Sequence, residues 1–254
     1  MAEKNISIIY DFFFGKTIIE ALNIKEALEY YDHKVYLFEA NASLVENLQN
    51  NKIDLVFNLA RNRYDKNLPV SVASICELLE LNIIGPKVFP ATICKDKVIL
   101  KKLLKWENIN LLSDFKDLLH LKSLNVSTLG NDCELMLLYD LHDNYKIEMI
   151  TSDDIKEICK KTFYSIHATD FCEFLIFLDE NKNIFLSEIN LTPYLDKNSS
   201  LAILFELLGF NYIDFINSII LNALKRYKIP LPEDYLDLEE RIHLKTKEVA
   251  VPHK

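Results

Sequence analysis

The chain has 254 residues, of which 50% are hydrophobic and 26% are charged, with a net charge of −9 and an isoelectric point near 5.2. A chain of this length can bury a substantial core and fits one large domain or two small ones. The acidic balance disfavours a nucleic-acid backbone as partner, and no apolar run reaches the roughly eighteen residues of a membrane span. We therefore expect a globular protein without a nucleic-acid or membrane partner.

The opening residues and the cysteines indicate the compartment. Residues 1–16 place a lysine close to an acid and lack a small-residue cleavage site, so they do not resemble a secretion signal. The five cysteines lie in apolar or helical patterns without a CxxC pair, and we expect them to be reduced core thiols. Both observations predict a cytoplasmic protein.

Strands and helices alternate in the first part of the chain. Apolar, β-branched runs followed by helical patterns are typical of a parallel sheet with right-handed crossovers. Strands are predicted at 6–10, 34–38, 52–59 and 82–84, with helices at 17–31, 43–48 and 69–81. Gly85 and Pro86 end the fourth strand. Residues 1–92 are therefore predicted to form a Rossmann-like domain of an α/β protein.

The second part of the chain mixes helices with antiparallel strands. Helices are predicted at 95–106, 113–124, 153–167, 199–208 and 212–227, and strands at 134–139 and 145–150. Gly209 ends the helix at 199–208. The charged segment 230–254 is either a docked short helix or frayed. We divide the chain into residues 1–92, 93–229 and a tail, 230–254.

The stretch 170–193 carries the main functional signal. Two apolar, β-rich runs flank a polar turn at 179–183, a pattern typical of an antiparallel hairpin. Because strand side chains alternate, Glu188 and Asn190 face the same side, where two oxygen ligands suit Mg²⁺. Counting back from the centre of the turn places Leu175 opposite Glu188, give or take one residue. A leucine therefore stands where a third oxygen ligand would complete the site.

Alternation also predicts that both faces of this hairpin are apolar. One face of the first strand carries Cys172, Phe174, Ile176 and Leu178, and the other carries Leu175 and Phe177. On the second strand, one face carries Ile184 and Leu186, and the other carries Phe185 and Ile189. A strand that is apolar on both faces requires cover on both. We therefore expect a homodimer or a heteromer that buries more than about 1,000 Å² around this sheet or the helix at 212–227.

Two segments carry motifs in a recognisable order. Residues 54–109 contain Phe-Asn at the end of the third strand, the Gly-Pro pair, and Asp96-Lys97 with Lys101. Residues 155–226 contain a helix, the hairpin, the Glu-x-Asn pair and an LGFxY sequence that opens the next helix. Together they cover most of the chain and resemble the D-alanine:D-alanine ligase-like branch of the ATP-grasp family. The motifs are moderately specific as a set and weak individually.

This resemblance implies a fold, a reaction and four site residues. The fold would be a pre-ATP-grasp domain followed by a shortened ATP-grasp domain with antiparallel strands. Enzymes of this class activate a carboxylate as an acyl phosphate with ATP and Mg²⁺ and then join it to an amine. The resemblance assigns Lys97 and Lys101 to nucleotide binding and Glu188 and Asn190 to the metal. No catalytic residue is assigned.

The chain also departs from the family pattern. The family has a metal-binding Asp where this chain has Leu175, an Arg where it has Glu173 and a basic residue where it has Phe177. The family's Gly/Ser-rich ATP lid and its lysine have no counterpart in residues 110–150, which contain one glycine. ATP and Mg²⁺ as cofactors, or none at all, both remain open.

Three functions follow from this balance of matches and departures. The leading hypothesis is a degenerate, non-catalytic member that serves as a binding or partner subunit. The first alternative is a working carboxylate–amine ligase whose lid comes from another chain. The second is a small-molecule binder, for instance of an amino-acid-like ligand, at the carboxyl ends of the parallel strands. The alternative is that these residues bind nothing. In that case Glu188 and Asn190 only cap the turn after their strand, and Lys97 lies on a solvated helix face.

Overall fold

The computed structural model describes residues 3–11, 16–61, 67–114, 121–130, 135–140, 147–149 and 152–250. These residues belong to two compact units. The first unit contains Met1–Ala60, Ile75–Ile84 and Tyr194–Lys254, and the second contains Arg61–Ser74 and Gly85–Pro193. Neither unit is continuous in sequence. The helices are α1 (Lys16–Glu29), α2 (Leu44–Asn50), α3 (Leu68–Leu78), α4 (Val88–Lys95), α5 (Lys97–Trp106), α6 (Asp153–Ser165), α7 (Ser200–Leu207), α8 (Tyr212–Arg226) and α9 (Glu233–Ala250).

The first unit is built on a four-stranded parallel sheet, as predicted. Its strands are β1 (Asn5–Tyr10), β2 (Lys34–Glu39), β3 (Leu55–Asn58) and β4 (Asn82–Ile84), in the order β2-β1-β3-β4. All four residues of β3 are buried, as is expected of a central parallel strand covered on both faces. The predicted Rossmann-like sheet is therefore confirmed.

Helix α8 is the main buried helix of the first unit. A capping box starts it: Asn211 Oδ1 accepts from the Asp214 backbone N–H at 2.9 Å, and the Asp214 carboxylate accepts from the Asn211 N–H. The helix contacts α1 and β4 and is largely buried. This packing places the chain after Pro193 in the first unit, so the observed units divide the chain differently from the predicted segment 93–229.

The predicted tail is a docked helix over the range that the structure describes. Tyr235 and Leu238 of α9 are buried, and Tyr235 donates its hydroxyl proton to Asn217 Oδ1 of α8 at 2.7 Å. The same hydroxyl lies 2.6 Å from Nε2 of the buried His33, in the turn before β2. Asn217 in turn donates to the Ala27 carbonyl of α1 at 3.0 Å. This network fastens α9 within the first unit.

The second unit contains a five-stranded antiparallel sheet. Its strands are β5 (Lys122–Leu129), β6 (Leu135–Asp140), β7 (Ile147–Met149), β8 (Phe171–Leu178) and β9 (Ile184–Asn190). They lie in the order β7-β6-β5-β8-β9. The predicted helix at 113–124 is wrong at its C-terminal end, where Lys122 begins β5; residues 115–120 lie outside the described part. Strand β5 pairs with both β6 and β8 and is therefore the centre of this sheet.

Helices α5 and α6 and the side chains of Ile109 and Leu111 cover one face of the antiparallel sheet. The core contains Leu104 of α5 and Phe163 of α6 together with Phe174 and Ile176 of β8. Leu111 forms a parallel bridge to Leu186 beside the edge strand β9. This face of the hairpin is therefore sealed by its own chain.

One helix start differs from prediction. The helix predicted at 95–106 begins at Lys97 as α5, and Lys95 belongs to a separate helix, α4. Asp96 is the N-cap of α5, because its Oδ1 accepts from the Val98 and Ile99 N–H groups at 3.0 Å. Ser43 and Ser152 stand at the N-cap positions of α2 and α6, and neither makes a side-chain cap hydrogen bond with a described residue. Gly209 follows α7 with a φ of +85°, as its predicted role requires.

Four cysteines are free within the described residues: Cys76, Cys159 and Cys172 are buried, as expected of core thiols, whereas Cys94 is half-buried. Cys133 lies outside them. No single described helix is long and apolar enough to cross a membrane, although α7 and α8 pass that test of length and composition as a pair bent by 106°.

Candidate functional site

The hairpin has the register that the sequence predicts. Glu188 pairs with Leu175, and Asn190 pairs with Glu173. Glu188 and Asn190 are both exposed, on the open face of the sheet. The leucine thus lies directly opposite the carboxylate of the predicted metal site.

A β-bulge in β9 corrects one part of the prediction. The pairing shifts between Leu175/Glu188 and Ile176/Leu186, which leaves Ser187 as the extra residue. An extra residue reverses the alternation of side chains beyond it. Ile189, predicted to share a face with Phe185, instead packs on the covered side with the core. The bulge is what allows the strand to bury Leu186 and Ile189 while presenting Glu188 and Asn190 outwards.

The open face of the hairpin is not an exposed apolar patch. Leu175, Phe177 and Phe185 are half-buried, and none of them is among the exposed large hydrophobic side chains. One face is sealed and the other is partly covered, so the hairpin does not supply the reason for a partner that the sequence indicated. The partner itself stays a prediction.

Asn190 is already engaged at both ends of its amide. Its Nδ2 donates to Glu173 Oε2 at 3.2 Å, and its Oδ1 accepts from the Thr192 backbone N–H at 3.1 Å. Ser127 of β5, which is fully buried, donates to the other oxygen of Glu173 at 3.1 Å. The Asn190 side chain therefore caps the turn after β9 and links it to Glu173. Capping of this turn is the alternative to metal binding that the sequence offered for Asn190.

Within the part of the chain that the structure describes, the hairpin side chains supply only part of an Mg²⁺ coordination shell. Mg²⁺ requires near-octahedral oxygen coordination. Glu188 offers a carboxylate without a hydrogen bond or ion pair to any described residue, but Leu175 opposite it has no lone pair to donate. In the described ranges, no three His, Cys, Asp or Glu side chains are grouped so that they could hold a metal ion. The arrangement is a half-site.

The two predicted nucleotide-binding lysines lie elsewhere in the second unit. Lys101 Nζ is 2.6 Å from Asp114 Oδ1 and 3.1 Å from Ser113 Oγ, and Lys105 holds the other oxygen of Asp114 at 2.9 Å. These hydrogen bonds, that from Lys101 first, hold the pKa of Asp114 below its ordinary value. Lys97, at the first position of α5, is exposed.

The structure does not bring these lysines to the hairpin half-site. Helix α5 lies on the covered face of the sheet because Leu104 packs into the core there, whereas Glu188 and Asn190 are on the open face. Within the described residues, no hydrogen bond or ion pair joins either lysine to Glu188 or Asn190.

Sequence reasoning missed the role of Arg61. Its Nε donates to the Thr192 carbonyl at 2.7 Å and its Nη2 to the Pro193 carbonyl at 2.6 Å. The planar guanidinium thereby holds two successive carbonyls of the segment that follows Asn190. A single arginine in a polar loop gives no sequence signal for this contact. It fixes the exit of β9 next to the half-site.

Comparisons with known proteins agree with the sequence resemblance. Residues 139–221 match the family described as D-ala D-ala ligase C-terminus. A D-alanine–D-alanine ligase of Wigglesworthia glossinidia brevipalpis is 38% identical over 76 residues, which are 30% of this chain and 22% of that ligase. The sequence match thus spans about a fifth of this relative's length.

Solved structures show the fold over more of the chain. Two crystal structures of D-alanine–D-alanine ligase from Bacillus anthracis, one of them complexed with ATP, each have a TM-score of 0.68 with this chain. They are 13% and 14% identical to it, and each comparison covers 89% of this chain and 99% of the ligase. The chain therefore has the fold of these D-alanine–D-alanine ligases. The family match over residues 139–221 confirms, for that part of the chain, the resemblance seen in its motifs.

Proposed function

We propose that this chain is a non-catalytic D-alanine–D-alanine ligase-like protein that serves as a binding or partner subunit. The observation that carries the proposal is the pairing of Leu175 with Glu188. The resemblance to the family places an aspartate ligand at the position of the leucine. An apolar side chain there removes one metal ligand and leaves Glu188 without the partner with which it would share a cation.

Electrostatics support the same conclusion. Glu173 and Glu188 both point to the open face, and Glu173 stands where the resemblance implies an arginine. Two carboxylates without a bound cation repel the phosphate oxygens of a nucleotide, whereas an arginine would attract them. The hydrogen bonds from Ser127 and Asn190 stabilise Glu173 in this orientation. The substitution therefore fits a site that no longer handles phosphate.

The length and composition of residues 110–150 support the proposal from sequence. This segment, where the resemblance would place the lid, contains a single glycine, Gly130. A backbone cradle for phosphate needs residues that let the chain approach closely, most often glycines. An ATP lid of the kind implied by the resemblance does not fit in this length.

Millimolar Mg·ATP is expected to leave the melting temperature unchanged. A ligand present at about a hundred times its dissociation constant would stabilise the fold by ~2.7 kcal/mol, which a thermal-shift measurement detects readily. Mg²⁺ without nucleotide is the matched control. A rise in melting temperature that EDTA abolishes would contradict the loss of the nucleotide site.

Replacing Leu175 with Asp is expected to restore no ATP turnover. The variant supplies the missing carboxylate, but the lid and its lysine are still absent, and catalytic parts act as a unit rather than additively. ADP release would be measured with D-alanine and other amino acids, with Leu175→Asn as the uncharged variant of similar size. ADP formation by Leu175→Asp but not by Leu175→Asn would mean that the metal ligand was the only part lost.

One observation favours the alternative of a working carboxylate–amine ligase. The Glu188 carboxylate is exposed and unpaired within the described residues, as a resident metal ligand would be. In that case another chain would supply the lid, and Mg·ATP would bind only in its presence. The two experiments above, repeated with any partner isolated with the protein, separate this alternative from the proposal.

A further inference from the structure

Helix α5 is apolar on two opposite sides. Leu100, Leu103 and Leu104 point towards the core of the second unit. On the opposite side, Val98 and Trp106 are 65% and 84% exposed, and Ile99 beside them is also exposed. A helix of a globular domain ordinarily has one apolar side, so the second one requires an explanation.

The exposed side of α5 is also basic. Lys102 lies between Val98 and Trp106, at intervals of four residues, so the three side chains form one stripe along the helix. Lys105 borders this stripe. Lys102 has no hydrogen bond or ion pair with a described residue, unlike Lys101 and Lys105, which hold Asp114. We call Val98, Lys102 and Trp106 the α5 stripe.

Helix α9 carries a stripe with the same spacing and the opposite charge. Tyr235 and Leu238 face the core of the first unit. On the other side, Leu236 and Leu244 are 52% and 54% exposed, and Glu240 lies between them. Leu236, Glu240 and Leu244, the α9 stripe, again follow at intervals of four residues. Glu233 and Asp237 add further negative charge beside it.

The two stripes match in length, order and charge. In each, two apolar side chains stand about 12 Å apart with one charged side chain midway. Placed side by side in either direction, the stripes put apolar against apolar and Lys102 against Glu240. The stripe that complements the α5 stripe lies on a helix of this same chain, so a second copy of the protein is the partner that fits.

We propose that the α5 stripe of one copy of this protein docks on the α9 stripe of a second copy. Two helix faces of this size bury less than the ~1,000 Å² of a stable interface, so the association is weak and reversible. The contact closes into a dimer if two copies exchange both stripes, and continues into chains if they do not. It involves none of the hairpin residues and holds whether or not the chain binds ATP.

Sedimentation equilibrium tests this contact over a range of protein concentrations. The mass-average mass is expected to rise at concentrations on the order of 100 μM and to fall back in about 0.5 M NaCl, because salt screens the Lys102–Glu240 attraction. Lys102→Glu and Glu240→Lys are each expected to abolish the rise. The double variant Lys102→Glu/Glu240→Lys is expected to restore it, which a general effect on folding would not do.

The controls reverse charges of the same kind away from both stripes. Lys160→Glu and Glu157→Lys, on the exposed side of α6, are expected to leave the association unchanged. A monomer at all concentrations, or single variants whose defect the double variant does not repair, would overturn the proposal. So would cosedimentation with anionic vesicles that depends on Trp106 and Lys102 while the protein stays monomeric, since the α5 stripe would then bind a lipid surface.

Discussion

Acidification from about pH 7.5 to about pH 5 is expected to lower the free energy of unfolding by on the order of 2 kcal/mol through His33 alone. Burial, with a smaller effect of Lys4, lowers the pKa of His33 from 6.5 to about 4. The imidazole is neutral in the folded protein and takes up a proton on unfolding throughout the interval between these two values. Its contribution to stability is complete above pH 6.5 and is lost progressively as the pH falls towards 4.

The surroundings of His33 explain why the charged form is disfavoured. Because Tyr235 donates its proton to Asn217, His33 Nε2 donates to the Tyr235 oxygen, and Nδ1 has no hydrogen-bond partner among the described residues. The ring also stacks on that of Tyr235, at a centroid distance of 5.7 Å. A proton added at Nδ1 would be buried without an acceptor, which is costly.

Urea denaturation at the two pH values measures this effect. In His33→Gln, an amide N–H can still reach the Tyr235 oxygen but nothing titrates in this range, so its pH dependence is expected to be flatter by the stated amount. Tyr235→Phe is the second comparison, since it removes the hydroxyl and keeps the buried ring. Equal pH dependence in the native protein and His33→Gln would show that another group is responsible.

Replacing Asp170 with Ala is expected to destabilise the protein by about 3 kcal/mol. Asp170 is fully buried immediately before β8, and its Oδ2 accepts from the Gly85 backbone N–H at 2.9 Å. Alanine leaves that buried donor unpaired. Alanine is also strained at the φ of +65° that Asp170 adopts, a region that Asp, Asn and Gly tolerate better.

A series at this position separates the two causes. Asn keeps an acceptor and tolerates the backbone conformation, so about 1 kcal/mol is expected to be lost; Gly removes only the acceptor and is expected to fall between Asn and Ala. Chemical denaturation would give the three free energies of unfolding. If Asn proved as destabilising as Ala, the hydrogen bond to Gly85 would not be the interaction that matters.

The parallel sheet could be predicted from local sequence because its strands are buried on both faces. Ile6, Ile8 and Ile9 of β1 are fully buried, and a run of this kind has few other interpretations. The hairpin register could be predicted because its turn is short and polar. Asp179 closes that turn by accepting from the Asn181 and Asn183 N–H groups.

Strand β5 could not be predicted in this way, because its stabilising contacts are distant in sequence. Leu124 and Val126 alternate with Ser123 and Ser127, but serine is a weak strand former and leucines before Lys122 have helical spacing. Ser127 is buried because Glu173, on a strand far along the chain, accepts its hydroxyl proton. The residues next to Ser127 in sequence do not indicate that its partner is Glu173.

The candidate site was predicted only where strand alternation determines it. Glu188 and Asn190 do share the open face, yet the same rule failed at Ile189, because it assumes an unbroken ladder. Two successive polar residues, Ser187 and Glu188, after the apolar Leu186 are the signal that could have indicated the bulge. The position of α5 is determined by the packing of Leu104 against the covered face of the antiparallel sheet. The helical pattern predicts that Leu104 is buried but not which surface it contacts.

The divided first unit has a consequence for synthesis on the ribosome. The sheet is finished at β4, but α8, which packs on it, ends roughly 140 residues later, or about 7 to 28 seconds at common elongation rates. During that delay the nascent chain presents an apolar sheet face that its own sequence does not yet cover. Gly85–Pro193, which needs nothing beyond Pro193 for its strands, emerges complete in the meantime. Newly made chains are therefore most exposed to chaperones and to misassociation through the segment that ends at β4, in an interval that closes when α8 and α9 emerge.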